Sequence, residues 1–405
     1  MSKFGAWLAR GAGVANRWIL SRLEIGEERR LRKRILLVFG TRPEAIKMAP
    51  VHRALKARPD DFETLCCVTA QHREMLDQVL RSFAIAPDFD LDLMRAGQHL
   101  AELHAGVLGS MTQVLRAASP DLVLVHGDTT TTLASAQAAF YAGIPIGHVE
   151  AGLRSGDLAA PFPEEMNRRV VDAIARYRFA PTAAARDNLL REGCDPASVV
   201  VTGNTVVDAV RLAAARGSEI DAVLDPALGA ARRRGRYVLV TCHRRETIAS
   251  GLPDVCAALA ELAVAFPDVA LVFPVHPNPE LRAQVSACLG GHDNLHLVDP
   301  LPYEAFLPAL RGSHFILTDS GGIQEEALAL GKPVLVMRGV TERPEAIAAG
   351  GARLVGTDRA TIVAAAAELL RDDRLHAAMA GAKNPFGDGR AAERIAAFLA
   401  GEPVR

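Results

Sequence analysis

The run V-H-G-D-T-T-T-T at 125–132, with H-V-E-A-G-L-R-S-G-D at 148–157 and F-P-E-E-M-N-R-R at 162–169, decides how the rest of the chain is read. Two short apolar strands are expected just upstream of acids, Leu122 to Val125 before Asp128 and Ile144 to Val149 before Glu150. A third acidic position follows at Glu164 and Glu165. In an open parallel sheet, ligands bind beyond the carboxyl ends of the strands. That geometry would gather Asp128, Glu150 and Glu164 around one small volume. Carboxylates held close in a cleft raise one another's pKa, which suits acid/base work. The bland alternative is that each acid caps the helix after it. For Asp128, ahead of four threonines, this is reasonable; for all three acids together it is much weaker.

Outward from that segment, strands and helices alternate in both directions. Ile35 to Phe39, Phe62 to Ala70, a weaker stretch from Asp88 to Leu93, and Asp121 to His126 read as strands. A helix is expected over His99 to Ala117 and a polar one over Pro163 to Arg178. The second half repeats the pattern, with strands at Tyr237 to Thr241, Val269 to Val275, Leu295 to Val298, His314 to Thr318, Pro333 to Met337 and Ala352 to Val355. Such spacing implies parallel β-α-β units. The Arg/Gly/Pro-rich stretch from Ala213 to Arg236 reads as the crossing between halves. The expected organisation is therefore an α/β chain: an extension over 1–34, one Rossmann-like domain over 35–210, another over 211–380, and a closing segment over 381–405 that packs back on the first domain.

Composition narrows the function. With 405 residues, 49% hydrophobic and 23% charged, the chain can bury full globular cores. Lys+Arg is 46 against Asp+Glu 47, so nothing draws the whole surface to nucleic acid or membrane. Aromatics are only 5%, too few for base-stacking platforms. The six cysteines form no C-x-x-C and no zinc spacing, which fits free thiols in a reducing cytoplasm and predicts no metal. Residues 1–34 differ, carrying nine basic residues against three acids and both tryptophans, Trp7 and Trp18. An amphipathic helix on an anionic membrane is one reading of them. The preferred reading is a frayed extension, or a start placed too early.

Several motifs look built for anions. G-T-R-P-E-A-I-K at 40–47 places Arg42 and Lys47 near a helix N-terminus, where the backbone already favours negative charge. D-S-G-G-I-Q-E-E at 319–326 joins an apolar strand to a helix through Ser320, Gly321 and Gly322, with Glu326 one turn further in. That suits a pyrophosphate cradle with an acceptor for ribose hydroxyls. It matches neither the dinucleotide fingerprint nor the Walker loop, so a nucleoside-diphosphate ligand fits better than NAD or ATP. His243 and Arg343 are further candidates for the crevice.

Taken in order, G-T-R-P-E-A-I-K-M-A-P, H-G-D-T-T-T-T, H-V-E-A-G-L-R-S-G-D, P-E-E-M-N-R, G-N-T-V-V-D, H-R-R-E, D-S-G-G-I-Q-E-E, G-K-P-V-L and T-E-R-P-E closely resemble the non-hydrolysing UDP-N-acetylglucosamine 2-epimerases of bacteria. The match runs from about Ile35 to about Arg371. The resemblance implies two Rossmann-like domains facing across a cleft, as in one large glycosyltransferase class, and a cytoplasmic homodimer. It implies interconversion of UDP-N-acetylglucosamine and UDP-N-acetylmannosamine by loss and re-addition of UDP through a glucal, supplying polysaccharide synthesis without cofactor. Asp128, Glu150, Glu164 and His243 match the family's catalytic groups. Arg42, Lys47, Phe306, Ser320, Gly321, Gly322, Glu326 and Arg343 match its nucleotide contacts. Gln71, His72, Arg73 and Arg244 fall where a second, activating nucleotide site would lie. Which carboxylate removes the proton stays open. Thr247, Leu301 and the basic extension depart from the usual pattern. The rival expectations are an epimerase of a further-modified UDP-sugar, a hydrolysing relative, a glycosyltransferase of the same architecture, and a nucleotide-sugar binder without activity.

Overall fold

A computed structural model describes residues 32–404 apart from 71–72, 94–96, 160, 216–228, 230, 232, 234, 243, 245–246, 276–278 and 342. The first half builds β1 (Lys33–Phe39), β2 (Phe62–Val68), β3 (Phe89–Asp90), β4 (Leu122–His126), β5 (Ile146–Val149), β6 (Tyr177–Ala180) and β7 (Val199–Val201). They form a seven-stranded sheet in the order β3-β2-β1-β4-β5-β6-β7, paired in parallel throughout. The second half builds β8 (Tyr237–Thr241), β9 (Ala270–Pro274), β10 (Leu295–Val298), β11 (Phe315–Thr318), β12 (Val334–Val336) and β13 (Ala352–Leu354). These lie in the order β10-β9-β8-β11-β12-β13, again parallel. The chain is thus two doubly wound α/β halves. In each sheet the order reverses beside a central strand, β1 next to β4 and β8 next to β11. Crevices at such reversals are where this architecture takes ligands.

The strands read as unbroken apolar runs because helices cover both faces of each sheet. Ile35 to Phe39 in β1 and Phe315 to Thr318 in β11 are fully buried. The turn out of β1 needs its glycine: a Cβ on Gly40 would come within 2.0 Å of Thr69 Oγ1 and 2.7 Å of Thr131 Oγ1. Helix α1 (Arg42–Lys56) then starts with a capping box, Thr41 accepting from the Glu44 amide while Glu44 accepts from the Thr41 amide at 2.8 Å.

One expected element needs correction. The polar helix α5 spans Glu164–Ile174, not Pro163 to Arg178, and the chain turns extended at Ala175 to become β6. The charges of Arg176 and Arg178 disguised this strand. Arg178 is only 7% exposed, and it sits in the sheet because its guanidinium donates to the Asp172 carbonyl and to Ser198 Oγ, both at 2.7 Å.

The halves are joined at the end of the chain. The last helix, Ala391–Ala400, lies against α1 and against helix Thr205–Ala215 of the first half. Asp208 caps it from that neighbour, accepting from the Ala391 and Ala392 amides at 3.2 and 2.9 Å. Lys33 Nζ donates to the Leu399 carbonyl at 2.7 Å, and Phe398 packs edge-on against Tyr177 and Phe179.

Candidate active site

The three sequence-selected acids meet beyond β4 and β5. None of them caps a helix through its side chain. Thr129, not Asp128, caps helix α4 (Thr130–Tyr141), its hydroxyl accepting from the Thr132 amide at 3.1 Å. Glu150 sits at φ +69°, a left-handed conformation that a non-glycine residue adopts at some cost. Glu164 is the first residue of α5, whose cap position, Pro163, contributes no side-chain bond.

Asp128 accepts from Arg168 at 2.5 Å, and its backbone carbonyl accepts from Asn167 Nδ2 at 2.7 Å. Burial pushes the Asp128 carboxyl up against the pull of Arg168, and nearby Glu150 and Glu164 push it further. Glu150 is placed differently. Its Oε2 accepts from Lys47 Nζ and from Asn204 Nδ2, the latter at 2.7 Å. Burial works against its charge, but Lys47, helped by Arg343, outweighs that and holds it well below the usual carboxylate range. Adjacent acids are thus driven in opposite directions, an arrangement that allows one to give a proton while another takes one. Glu164 Oε2 is buried and has no hydrogen-bond partner among the described residues.

Second-half residues close over the same volume. Lys47 pairs with Glu325 at 3.0 Å as well as with Glu150, and Glu325 in turn holds Arg343. Glu326, the next residue, is 8% exposed, and burial pushes it up to about 7 against the pull of Arg42 and Lys47. Arg42 and Glu326, far apart in sequence, are therefore electrostatic neighbours across the cleft, with Tyr303 beside them. Phe306 lies on helix Tyr303–Gly312, buried at 8% exposure. Ser320 occupies the cap position of helix Gly321–Ala329 but makes no side-chain cap bond. A Cβ on Gly322 would meet no atom of the described residues within 4 Å. Packing within the chain therefore leaves that face of the turn open to close approach by a ligand.

The remaining candidates are scattered. Arg73 is exposed on helix Arg73–Ser82 and pairs with Asp77 and Asp90 at 3.2 and 2.7 Å. The Arg244 amide donates to Asp319 at 2.9 Å beyond β8. His243, Gln71 and His72 lie outside the described residues.

Sequence reasoning passed over several groups that organise the site. Buried Glu44 accepts from the Gly40 and Thr41 amides and from the hydroxyls of Thr129 and Thr132, tying the first two motifs together. His148 bridges Asp172 at 2.6 Å and the Gly127 carbonyl at 2.7 Å, which fixes the turn carrying Asp128. Glu325, Arg168 and Asn204 stood inside quoted motifs, but their partners are distant in sequence.

The family profile described as UDP-N-acetylglucosamine 2-epimerase matches residues 53–400. The chain belongs to that family. It is 51% identical over 365 residues to the UDP-N-acetylglucosamine 2-epimerase of Escherichia coli K12, covering 89% of this chain and 97% of that one. To the protein of the same name from Yersinia pestis it is 51% identical over 374 residues, covering 92% and 99%. The crystal structure of the Neisseria meningitidis enzyme bound to UDP-GlcNAc superposes with a TM-score of 0.86 at 44% identity, covering 90% of this chain and 99% of that one. The GT-B-like pair of domains expected from the sequence is therefore the fold of this family member. Among the described residues, no helix is long and apolar enough to cross a membrane.

Proposed function

We propose that the chain interconverts UDP-N-acetylglucosamine and UDP-N-acetylmannosamine without net hydrolysis, as a homodimer feeding polysaccharide synthesis. The observation that carries this reading is the opposed pair Asp128 and Glu150, with Glu164 beside them, under the cations Lys47 and Arg343. Inverting carbon 2 by proton removal needs groups on both faces of the ring. The carbon 2 proton is not acidic by itself. Departure of UDP from carbon 1 develops positive charge on the ring as that proton leaves, giving a glucal, and carboxylates stabilise such charge. Arg42, Lys47 and Arg343 would neutralise the departing diphosphate, cradled over Ser320, Gly321 and Gly322. Glu326 would accept from the ribose, and Phe306 would pack beside the base. UDP would then add back as a proton is delivered to the opposite face. By resemblance, His243 acts near the diphosphate.

Product analysis tests this directly. With UDP-N-acetylglucosamine alone, chromatography should resolve two nucleotide sugars and no net UDP. Net UDP with free N-acetylmannosamine would make the chain a hydrolase. Unchanged substrate would overturn the reading.

A further inference from the structure

His126 has no assigned part in this chemistry, yet its surroundings are unusual. It ends β4 at 3% exposure, and neither ring nitrogen has a hydrogen-bond partner among the described residues. Buried polar groups in native proteins are nearly always partnered, so a bare imidazole beside a reactive cleft calls for a reason. Its Nε2 lies 3.8 Å from Glu150 Oε2, about 0.6 Å beyond hydrogen-bond reach. The ring is also kept uncharged: burial pushes it down to about 3, Glu150 pulls it up, and Lys47 and His148 push it down again.

We propose that His126 is a positioning residue, which takes hold of Glu150 when a bound diphosphate draws Lys47 away. The inference rests on the nucleotide-sugar reading above, and on the part given there to Lys47. Glu150 Oε2 accepts from Lys47 and Asn204, with Arg343 contributing from the second half and Asp128 lying alongside. Lys47 is shared between Glu150 and Glu325, so its ammonium already lies between the two halves. A diphosphate arriving there competes for it. As Lys47 turns, Glu150 loses a cation, and a small shift brings the His126 Nε2–H onto Oε2. A neutral donor then replaces a charged one. The carboxylate stays oriented, while its affinity for a proton rises toward the range useful to a base. Glu150 would thus be held by Lys47 until the diphosphate of a bound nucleotide sugar draws that cation away.

The test compares H126F, which keeps a ring without donors, with H126Q, which keeps a neutral donor. H126F should lower kcat by roughly ten- to a hundredfold, with KM and UDP affinity changed by less than about threefold. H126Q should recover most of the loss. The acid limb of kcat, which reports the substrate complex, should move to higher pH in H126F, because Glu150 protonates more readily without its donor. The acid limb of kcat/KM, which reports the free protein, should stay in place. Wild-type kcat in H126F, or equal movement of both limbs, would overturn the proposal. If H126F fails to fold, nitrogen-15 histidine NMR of the wild type decides. UDP should produce one downfield, slowly exchanging imidazole proton that is absent in H126Q. UDP binding without that signal would overturn the exchange. A protein that binds UDP, shows the signal and fails to epimerise would overturn the functional reading instead.

Discussion

On the proposed reading Glu326 accepts from the nucleotide's ribose, so its charge state bears on binding. Burial leaves its carboxyl at about 7, so it is largely protonated in slightly acidic solution. Ribose hydroxyls donating to it would favour the ionised form. UDP binding at pH 6 should therefore release close to one proton, and at pH 9 almost none. Calorimetry in buffers of different ionisation enthalpy measures this, and E326Q should abolish the difference. Glu150 gives a second prediction at this scale. On the proposed reading Glu150 takes part in moving the proton; E150Q keeps its shape without that capacity, so kcat should fall by at least about a hundredfold while UDP affinity stays within a few-fold. Equal losses in both would make Glu150 a binding residue only.

Legibility at this scale followed chain order. Asp128, Glu150 and Glu164 were visible because each follows an apolar strand or opens a motif. Glu325 was quoted and passed over in favour of Glu326, because nothing local marks which carboxylate turns toward Lys47. His126 looked like the last residue of a strand. Its lack of partners is a property of three-dimensional packing and leaves no mark in the sequence.

At the scale of elements, the cap on helix Ala391–Ala400 is the clearest device. Asp208 supplies it from a different helix, because the residue at the cap position, Arg390, makes no side-chain cap bond of its own. Burial holds Asp208 at about 6, above its ordinary 3.8, against the bonds from the Ala391 and Ala392 amides. The folded protein therefore keeps a proton there that the unfolded chain releases between these values. The Asp208 contribution is fully present below about 3.8 and is lost as pH rises through about 6. D208N should flatten that part of the stability–pH curve, and D208A should cost about 1 kcal/mol through the lost cap. Urea unfolding across pH 4 to 8 reads both. β6 shows the opposite kind of concealment, where paired arginine charges made a buried strand look like a helix.

At the scale of the whole molecule, both halves announced themselves through repeated apolar strands joined to motif-bearing turns. Their relation across the cleft did not, since it rests on a shared apolar core and on ionic contacts between residues far apart in sequence. Among the ionic contacts is Glu325, fully buried between Lys47 of one half and Arg343 of the other. Removing one member of a buried ionic set leaves the others uncompensated. E325Q should therefore destabilise the protein by about 3 kcal/mol, read as a lower urea midpoint. An unchanged midpoint would mean that the two halves do not depend on this contact.

The central claim is that carbon 2 of the sugar loses and regains its proton while UDP is detached. Proton NMR of UDP-N-acetylglucosamine with this protein in deuterated water, with no added metal or NAD, tests it most directly. Deuterium should enter carbon 2 of both nucleotide sugars, together with a growing anomeric signal of UDP-N-acetylmannosamine. Recovery of the nucleotide sugar with its carbon 2 proton intact would contradict it.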